Sequence, residues 1–221
     1  MDSGEIRLAI ACPIVSDTVP KGFWISWTMM ISELLTNEIG FKFLVPKMVH
    51  GEFQRDIAKV RNSLVYEALD DDCTHLLMCD SDQIYPSDTI LKLLSHNRDI
   101  VAAKVHRRYP PFDPILYKGS LGKYQYIEDE KWKSGELIEV DNIGTGCILY
   151  KTKVFYDVDA PWYDLPESED GRPIGEDIYF HHKLKEKGFQ IFVDTSIIIG
   201  HLSSIVIDEN LYDLFKMVRK E

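Results

Sequence analysis

The chain has 221 residues, 45% of them hydrophobic, and a formal net charge of −11. That length and apolar content suit one sizeable α/β core and exclude disorder as the default state. The acidity excludes a general nucleic-acid binder, whose affinity comes from neutralising phosphates.

Residues 6–15 read as a first strand, closed by Pro13. Trp24, Trp27, Met30, Ile31, Leu34 and Leu35 recur at spacings of three and four, which predicts a helix stopped at Gly40. A second strand follows at 41–45. The stripe Ile57, Val60, Leu64, Val65, Ala68 and Leu69 predicts a helix running from Glu52, ended by Asp70-Asp71-Asp72. Then come a strand at 74–79, a short helix capped by Ser87 or Asp88, and a strand at 99–105. This alternation is the pattern of a doubly wound, mostly parallel sheet. The second half reads differently. Segments 115–117, 124–126 and 137–140 suggest an antiparallel meander, and 147–150 a further strand. A loop rich in proline and acids at 161–173 precedes a helix at 177–187, short strands at 190–193 and 197–199, and a closing helix at 208–219. No repeat or linker divides the chain.

Cys12, Cys73, Cys79 and Cys147 show no Cys-x-x-Cys spacing, and three of them lie in or beside apolar strand-like runs. A reduced compartment is the simpler expectation. The N-terminus lacks the basic-then-apolar order of a signal peptide, and no apolar run approaches the ~20 residues of a membrane span. A cytoplasmic protein is expected.

Asp80-Ser81-Asp82 is the most informative motif. Two carboxylates one residue apart end an apolar strand, at the edge where open α/β sheets bind ligands. Neither charge stays buried without a partner, and a divalent metal bridging to a phosphate is such a partner. The plainer alternative is a solvated turn, since Asp70/Asp72 and Asp157/Asp159 share the spacing.

Gly144-Thr145-Gly146, Glu176-Asp177 and His201 follow in order. With them the chain resembles the GT-A nucleotide-sugar glycosyltransferases, in particular small family-2-like members, over roughly residues 6–201. The resemblance implies a GT-A-like (Rossmann-like) α/β fold: a doubly wound mixed sheet with helices on both faces. It implies one domain over 1–221, with a nucleotide-binding half at 1–108 and an acceptor-binding half at 109–221. The implied reaction moves a sugar from a UDP- or GDP-linked donor to a hydroxyl acceptor, itself a carbohydrate. Mn²⁺ or Mg²⁺ is implied, held by Asp82 and His201, with Asp80 as a further ligand or as a partner of metal-bound water or ribose. An imidazole ligand favours Mn²⁺. Asp177 is implied as general base of an inverting transfer, with Glu176 orienting a sugar hydroxyl. Pro13, Arg61 and Asn62 fall beside the nucleotide, and Gly146 under the donor sugar. Arg107 belongs to the one compact basic cluster, His106-Arg107-Arg108, and is expected to meet donor phosphates or an anionic acceptor.

Plainer readings stand beside these. His201 suits a strand-end histidine bonded to backbone, Glu176-Asp177 a complement to the helix dipole, and Arg61 a surface salt bridge. Trp132, Trp162 and Tyr163 are candidates for stacking on a sugar, and 161–173 suits a lid. Trp24 and Trp27 read as core. The enzyme rival is a nucleotidyltransferase, which usually brings a glycine-rich basic loop where this chain has Cys12-Pro13-Ile14-Val15-Ser16-Asp17. The other rival is a catalytically inactive carbohydrate- or metal-binding module.

Overall fold

The computed structural model describes residues 5–16, 18–46, 56–128, 131–168, 171–204 and 209–218. In chain order the elements are β1 (Leu8–Ala11), α1 (Lys21–Thr36), β2 (Phe41–Leu44), α2 (Ile57–Asp70), β3 (His75–Cys79), β4 (Gln83–Ile84), α3 (Thr89–Ser95) and β5 (Ile100–Val105). Then follow β6 (Leu116–Lys118), β7 (Gln125–Tyr126), β8 (Leu137–Val140), β9 (Asn142–Ile143), β10 (Cys147–Lys151), α4 (Lys153–Asp157), α5 (Glu176–Glu186), β11 (Ile191–His201) and α6 (Glu209–Val218). The expected helix start at Glu52 lies outside the described residues, as do Glu169, Asp170, Asp208 and Arg219. Asp56 caps α2, its carboxylate accepting the Lys59 N–H at 3.2 Å.

The main sheet has eight strands in the order β2-β1-β3-β10-β5-β11-β4, with β8 also paired to β11. β1 is parallel to both β2 and β3, and β11 is parallel to β5. β10 runs antiparallel between β3 and β5, so the sheet is mixed rather than mostly parallel. Strand alternation divides the core in two. Ala9, Leu76, Met78, Ala102, Ile148 and Tyr150 face the layer of α2 and α5, with Leu64, Ala68, Phe180 and Leu184. Leu8, Ile10, Leu77, Val101 and Leu149 face the layer of α1 and α3, with Phe23, Met30, Ile90 and Leu93. Both faces of the central strands are covered, which is why they read as continuous apolar runs.

Four expectations are corrected. α1 buries Phe23, Ser26, Met30 and Leu34, while Trp24 is 61% exposed: it sits one residue, or ~100°, off the buried stripe. The expected meander breaks up, because β6 pairs with β7 and β9 in a separate three-stranded sheet whereas β8 joins the main sheet on β11. The segments 190–193 and 197–199 are one strand, β11, whose register slips between Asp194 and Ile198. Asp194 holds that irregularity by accepting from the Ser196 N–H and hydroxyl at 2.8 and 2.6 Å. Finally, Trp162 and Tyr163 are core residues, 4% and 1% exposed, not stacking platforms. Asn62 pins them: its Oδ1 accepts the N–H groups of Trp162 and Tyr163 at 3.0 and 3.1 Å, and its Nδ2 donates to the Tyr163 carbonyl at 2.7 Å.

Candidate active site at the carboxyl edge of the sheet

β3, β5 and β11 all end at the same edge, which carries Asp80 and Asp82 just beyond β3, Arg108 just beyond β5, and His201 as the last residue of β11. Asp80 is fixed through its backbone: its N–H donates to the Gly146 carbonyl at 3.0 Å, and the Tyr85 hydroxyl donates to its carbonyl at 2.6 Å. The two-residue strand β4 then pairs with the end of β11, setting His201 opposite Gln83. The Leu202 N–H donates to the Asp82 carbonyl at 2.8 Å and closes the pairing. Two residues 119 positions apart in sequence, Asp82 and His201, thus become neighbours through a strand too short to show any period.

His201 Nε2 stands 3.7 Å from Asp82 Oδ2. Nδ1 lies 2.8 Å from the His106 carbonyl, which only accepts, so Nδ1 carries a proton. In the neutral ring, Nε2 is then a bare lone pair directed toward a carboxylate. Nε2 and Asp82 Oδ1 are both buried without a hydrogen-bond partner. Asp82 Oδ2 meets Arg108 at 2.7 Å. The Asp82 carboxylate raises the His201 pKa above its ordinary value, although burial lowers it. Burial alone would raise the pKa of Asp82, but His201 and Arg108 outweigh it and hold the carboxyl below its usual range. Two acceptors are thus left without a hydrogen-bond partner at this edge, Asp82 Oδ1 and His201 Nε2, while Asp82 Oδ2, the oxygen nearer the ring, is already held by Arg108. Among the described residues, no group of three His, Cys, Asp or Glu side chains is placed to hold a metal by itself.

Asp80 belongs to a second cluster. Arg61, whose plainer reading is a surface salt bridge, is only 6% exposed and forks between Asp80 Oδ1 at 3.0 Å and Glu176 Oε1 at 2.7 Å. Burial lowers the Arg61 pKa, but Asp80, Glu176 and Asp177 more than reverse this and raise it. Asp177 is partly buried beside them. Burial, and then the Glu176 charge, pushes its pKa from 3.8 up to about 6. Its Oδ1 accepts the Ile178 N–H at 2.7 Å, and a Cβ on Gly144 would lie 3.7 Å from its Oδ2. Removing one partner from such a buried ionic group costs about 3–5 kcal/mol, because the others are left uncompensated.

The remaining expected residues lie less centrally. Pro13 is buried just past the end of β1. Arg107 points away from Asp82, toward Tyr126 Oη at 3.1 Å; Arg108, its neighbour, is the basic residue at the acidic motif. Strand alternation continued past Val105 separates 107 from 108, a signal the basic triplet did contain. Trp132 is partly buried under the Lys104 ammonium, 4.6 Å from its ring centre. At Gly146 a Cβ would come within 2.0 Å of Gln83 Nε2, so the Gln83 amide occupies the space that the resemblance gives to donor sugar. Gly146→Ala is therefore expected to displace a fully buried amide and destabilise by ~1–3 kcal/mol, measured by urea unfolding.

The Anp1 family model matches residues 47–117, about a third of the chain, which include Arg61, Asp80, Asp82 and Arg108. No curated protein matches the sequence. Among solved structures, A197 from STIV is 16% identical, with 90% of this chain and 87% of that chain covered and a TM-score of 0.58. The catalytic domain of Drosophila beta1,4-galactosyltransferase 7, in complex with xylobiose, is 14% identical over 96% and 79% of the two chains, with a TM-score of 0.55. GalNAc-T7 with UDP, GalNAc and Mn²⁺ is 9% identical over 90% of this chain and 43% of its own, with a TM-score of 0.59. The inositol-1-phosphate CTP transferase from T. maritima is also similar, 12% identical over 98% of each chain at a TM-score of 0.50. The mixed sheet with helices on both faces, set beside these structures, is the fold of the GT-A glycosyltransferases.

Proposed function

We propose that this chain is a nucleotide-sugar glycosyltransferase that transfers a sugar, with inversion, to a carbohydrate hydroxyl. The observation that carries the reading is the Arg61 fork, which joins Asp80 of the Asp-x-Asp motif to Glu176 of the acidic pair. One guanidinium thereby sets the donor side and the acceptor side of a single cleft. The chain acts as one domain, with residues 1–108 binding nucleotide and 109–221 building the acceptor site.

Asp82 and His201 would hold the divalent cation, Mn²⁺ in preference to Mg²⁺ because one donor is an imidazole nitrogen. When bound, that ion neutralises charge on the leaving diphosphate. Arg108 adds a mobile positive charge at the same place, being 45% exposed. Asp80, with one oxygen held by Arg61, is oriented to bind ribose or a metal-bound water. Pro13 lines the nucleotide side. Asn62 fixes the segment of Trp162 and Tyr163, and Tyr163 in turn lies against Arg61, 5.8 Å from its ring centre. Asp177 accepts the acceptor proton; with a pKa of about 6 it is ionised at neutral pH yet retains basicity. Glu176 keeps Arg61 in place and orients a sugar hydroxyl. The four buried free cysteines suit a reducing, cytoplasmic setting, and no helix among the described residues is long and apolar enough to cross a membrane.

The likeness to a CTP transferase keeps nucleotidyl transfer as the second reading. Thermal unfolding with UDP-, GDP-, CDP- and dTDP-sugars, and with CTP, each with and without Mn²⁺, separates the two. A donor at ~100 times its Kd adds about 2.7 kcal/mol of stability, or several degrees in Tm. A Mn²⁺-dependent rise with a UDP- or GDP-sugar is expected. A rise with CTP and with no nucleotide sugar would favour nucleotidyl transfer instead.

A further inference from the structure

The small three-stranded sheet is built against the residue read above as the base. In β9, Asn142 lies opposite Tyr117 of β6, and its amide donates to the Ile178 carbonyl at 2.9 Å, one residue beyond Asp177. Gly144, just after β9, leaves room for both Asp177 Oδ2 and Ile115 Cδ1, each 3.7 Å from where its Cβ would be. On this sheet the rings of Tyr117 and Tyr126 lie 4.8 Å apart at a 36° tilt, and Tyr126 is 38% exposed. Their hydroxyls are 3.2 Å apart, and Arg107 donates to Tyr126 Oη at 3.1 Å. Among the described residues, the carboxylate paired with Arg107 is Asp113, at 3.9 Å, the limit of an ion pair.

Tyr126 also forms one wall of a cleft of about 340 Å³ lined by Lys118, Lys123, Gln125 and Lys131. Lys118 reaches Asp141 only at 3.6 Å. Lys131 pairs with Glu128 at 2.9 Å, but both side chains are about two-thirds exposed, so that pair adds little. In a chain of net charge −11, Arg107 beside the tyrosine rings and Lys118, Lys123 and Lys131 in the cleft gather four cations against the carboxylates of Asp113, Asp141 and Glu128. This part of the surface is therefore less acidic than the chain as a whole and can attract anions. A tyrosine face offers apolar contact with a polar rim, and a guanidinium fork suits carboxylate, sulfate and phosphate alike.

We propose, resting on the glycosyltransferase reading, that the acceptor is an anionic carbohydrate. Its terminal sugar lies on Tyr117 and Tyr126 within reach of Arg107, and its chain continues into the cleft of Lys118, Lys123 and Lys131. The nearness of this ridge to Asp177 has an electrostatic trace, since burial, Tyr126 and the Asp177 charge together raise the Tyr117 pKa.

The test is direct binding by calorimetry at low and high salt. One pair of probes is a short oligogalacturonate and its methyl ester; the other is a sulfated cello-oligosaccharide and its neutral parent. The charged member is expected to bind at least ~10-fold tighter at low salt, with the advantage shrinking as ionic strength rises. Preference within one pair alone identifies carboxylate or sulfate as the charge recognised, and either supports the site. Equal affinity within both pairs overturns it. Lys123→Glu/Lys131→Glu, at exposed positions, is expected to abolish the charge advantage while affinity for the neutral probes stays. Tyr126→Ala is expected to weaken charged and neutral probes together. Wild-type affinity for the charged chain in the double lysine variant also overturns the proposal. Nucleotide-sugar binding is read on the same wild-type protein. Its absence beside a persisting charge preference overturns the donor reading and leaves the anionic site standing; its presence without any preference does the reverse.

Discussion

Asp82→Ala is expected to lower donor-dependent turnover at least ~100-fold while leaving the thermal midpoint of the free protein close to that of the wild type. The two halves of that expectation have separate causes. Asp82 contributes little to the folded state, because one oxygen is buried without a partner and the other meets an Arg108 that is 45% exposed. Its backbone carbonyl, not its side chain, closes the pairing with Leu202. In the free protein the carboxylate is balanced by Arg108 and His201 at a partly exposed edge, and on the proposed function its larger role is toward the cation and donor phosphates. His201→Ala should fall in the same class, and the double variant should lose little more than either single one, since two groups that hold one ion act as a unit. Excess EDTA should abolish turnover in the wild type, with Mn²⁺ restoring it at least as well as Mg²⁺. Undiminished activity in excess chelator would falsify the metal assignment. A large drop in Tm for Asp82→Ala would point to a structural carboxylate instead.

Much of the scaffold was legible because the first half obeys local rules. The apolar runs at 74–79 and 99–105 became β3 and β5 within a residue, since strands covered on both faces need no alternation to be recognised. The stripe from Ile57 to Leu69 became α2 for the same kind of reason: Leu64 and Ala68 repeat at helical spacing and are fully buried. What was not legible depends on contacts distant in sequence. β4 and β9 have two residues each, too few to carry a period, yet β4 brings His201 to Asp82 and β9 seats the three-stranded sheet against α5. β11 read as two strands because the residues around Asp194 break its register against β5. The aromatics of the 161–173 segment looked like sugar platforms by composition alone. Burial of Trp162, whose Nε1 donates to the Phe155 and Val158 carbonyls at 2.9 Å, assigns it to the core. For the candidate site, the acidic motifs were visible as motifs, but the Arg61 fork was not. Its three members are separated by 19 and 96 residues, and no local pattern records that a helix edge will sit between them.

Asp177→Asn carries the sharpest expectation, because it should move activity and stability in opposite directions. Turnover should fall by ~10²- to 10⁴-fold, the range for a lost general base, with donor affinity nearly unchanged. Stability follows from the sign of the pKa shift. In the folded protein the carboxyl titrates at about 6 rather than 3.8, so the fold favours the protonated form. Below pH ~3 the group is neutral in both states and adds no penalty; as pH rises from there to ~6 the unfolded chain ionises first and stability is lost. Above pH ~6 the penalty is complete. Titrating at about 6 instead of 3.8 corresponds to at most ~3 kcal/mol, and the remaining exposure of Asp177 reduces the expected effect to on the order of 1–2 kcal/mol. An asparagine side chain keeps an oxygen to accept the Ile178 N–H but never ionises beside Glu176. The variant should therefore unfold at higher urea than the wild type at pH 8 and at the same urea at pH ~3, with the two curves separating from there to pH ~6. Arg61 sets the balance, since it relieves the acidic cluster. Arg61→Met should extend the loss of stability to pH values above 6 in the otherwise wild-type chain, and much less so when combined with Asp177→Asn. Wild-type turnover in Asp177→Asn would place the base elsewhere, and a variant less stable than wild type at pH 8 would show that the carboxylate is held by attraction rather than strained by its neighbours.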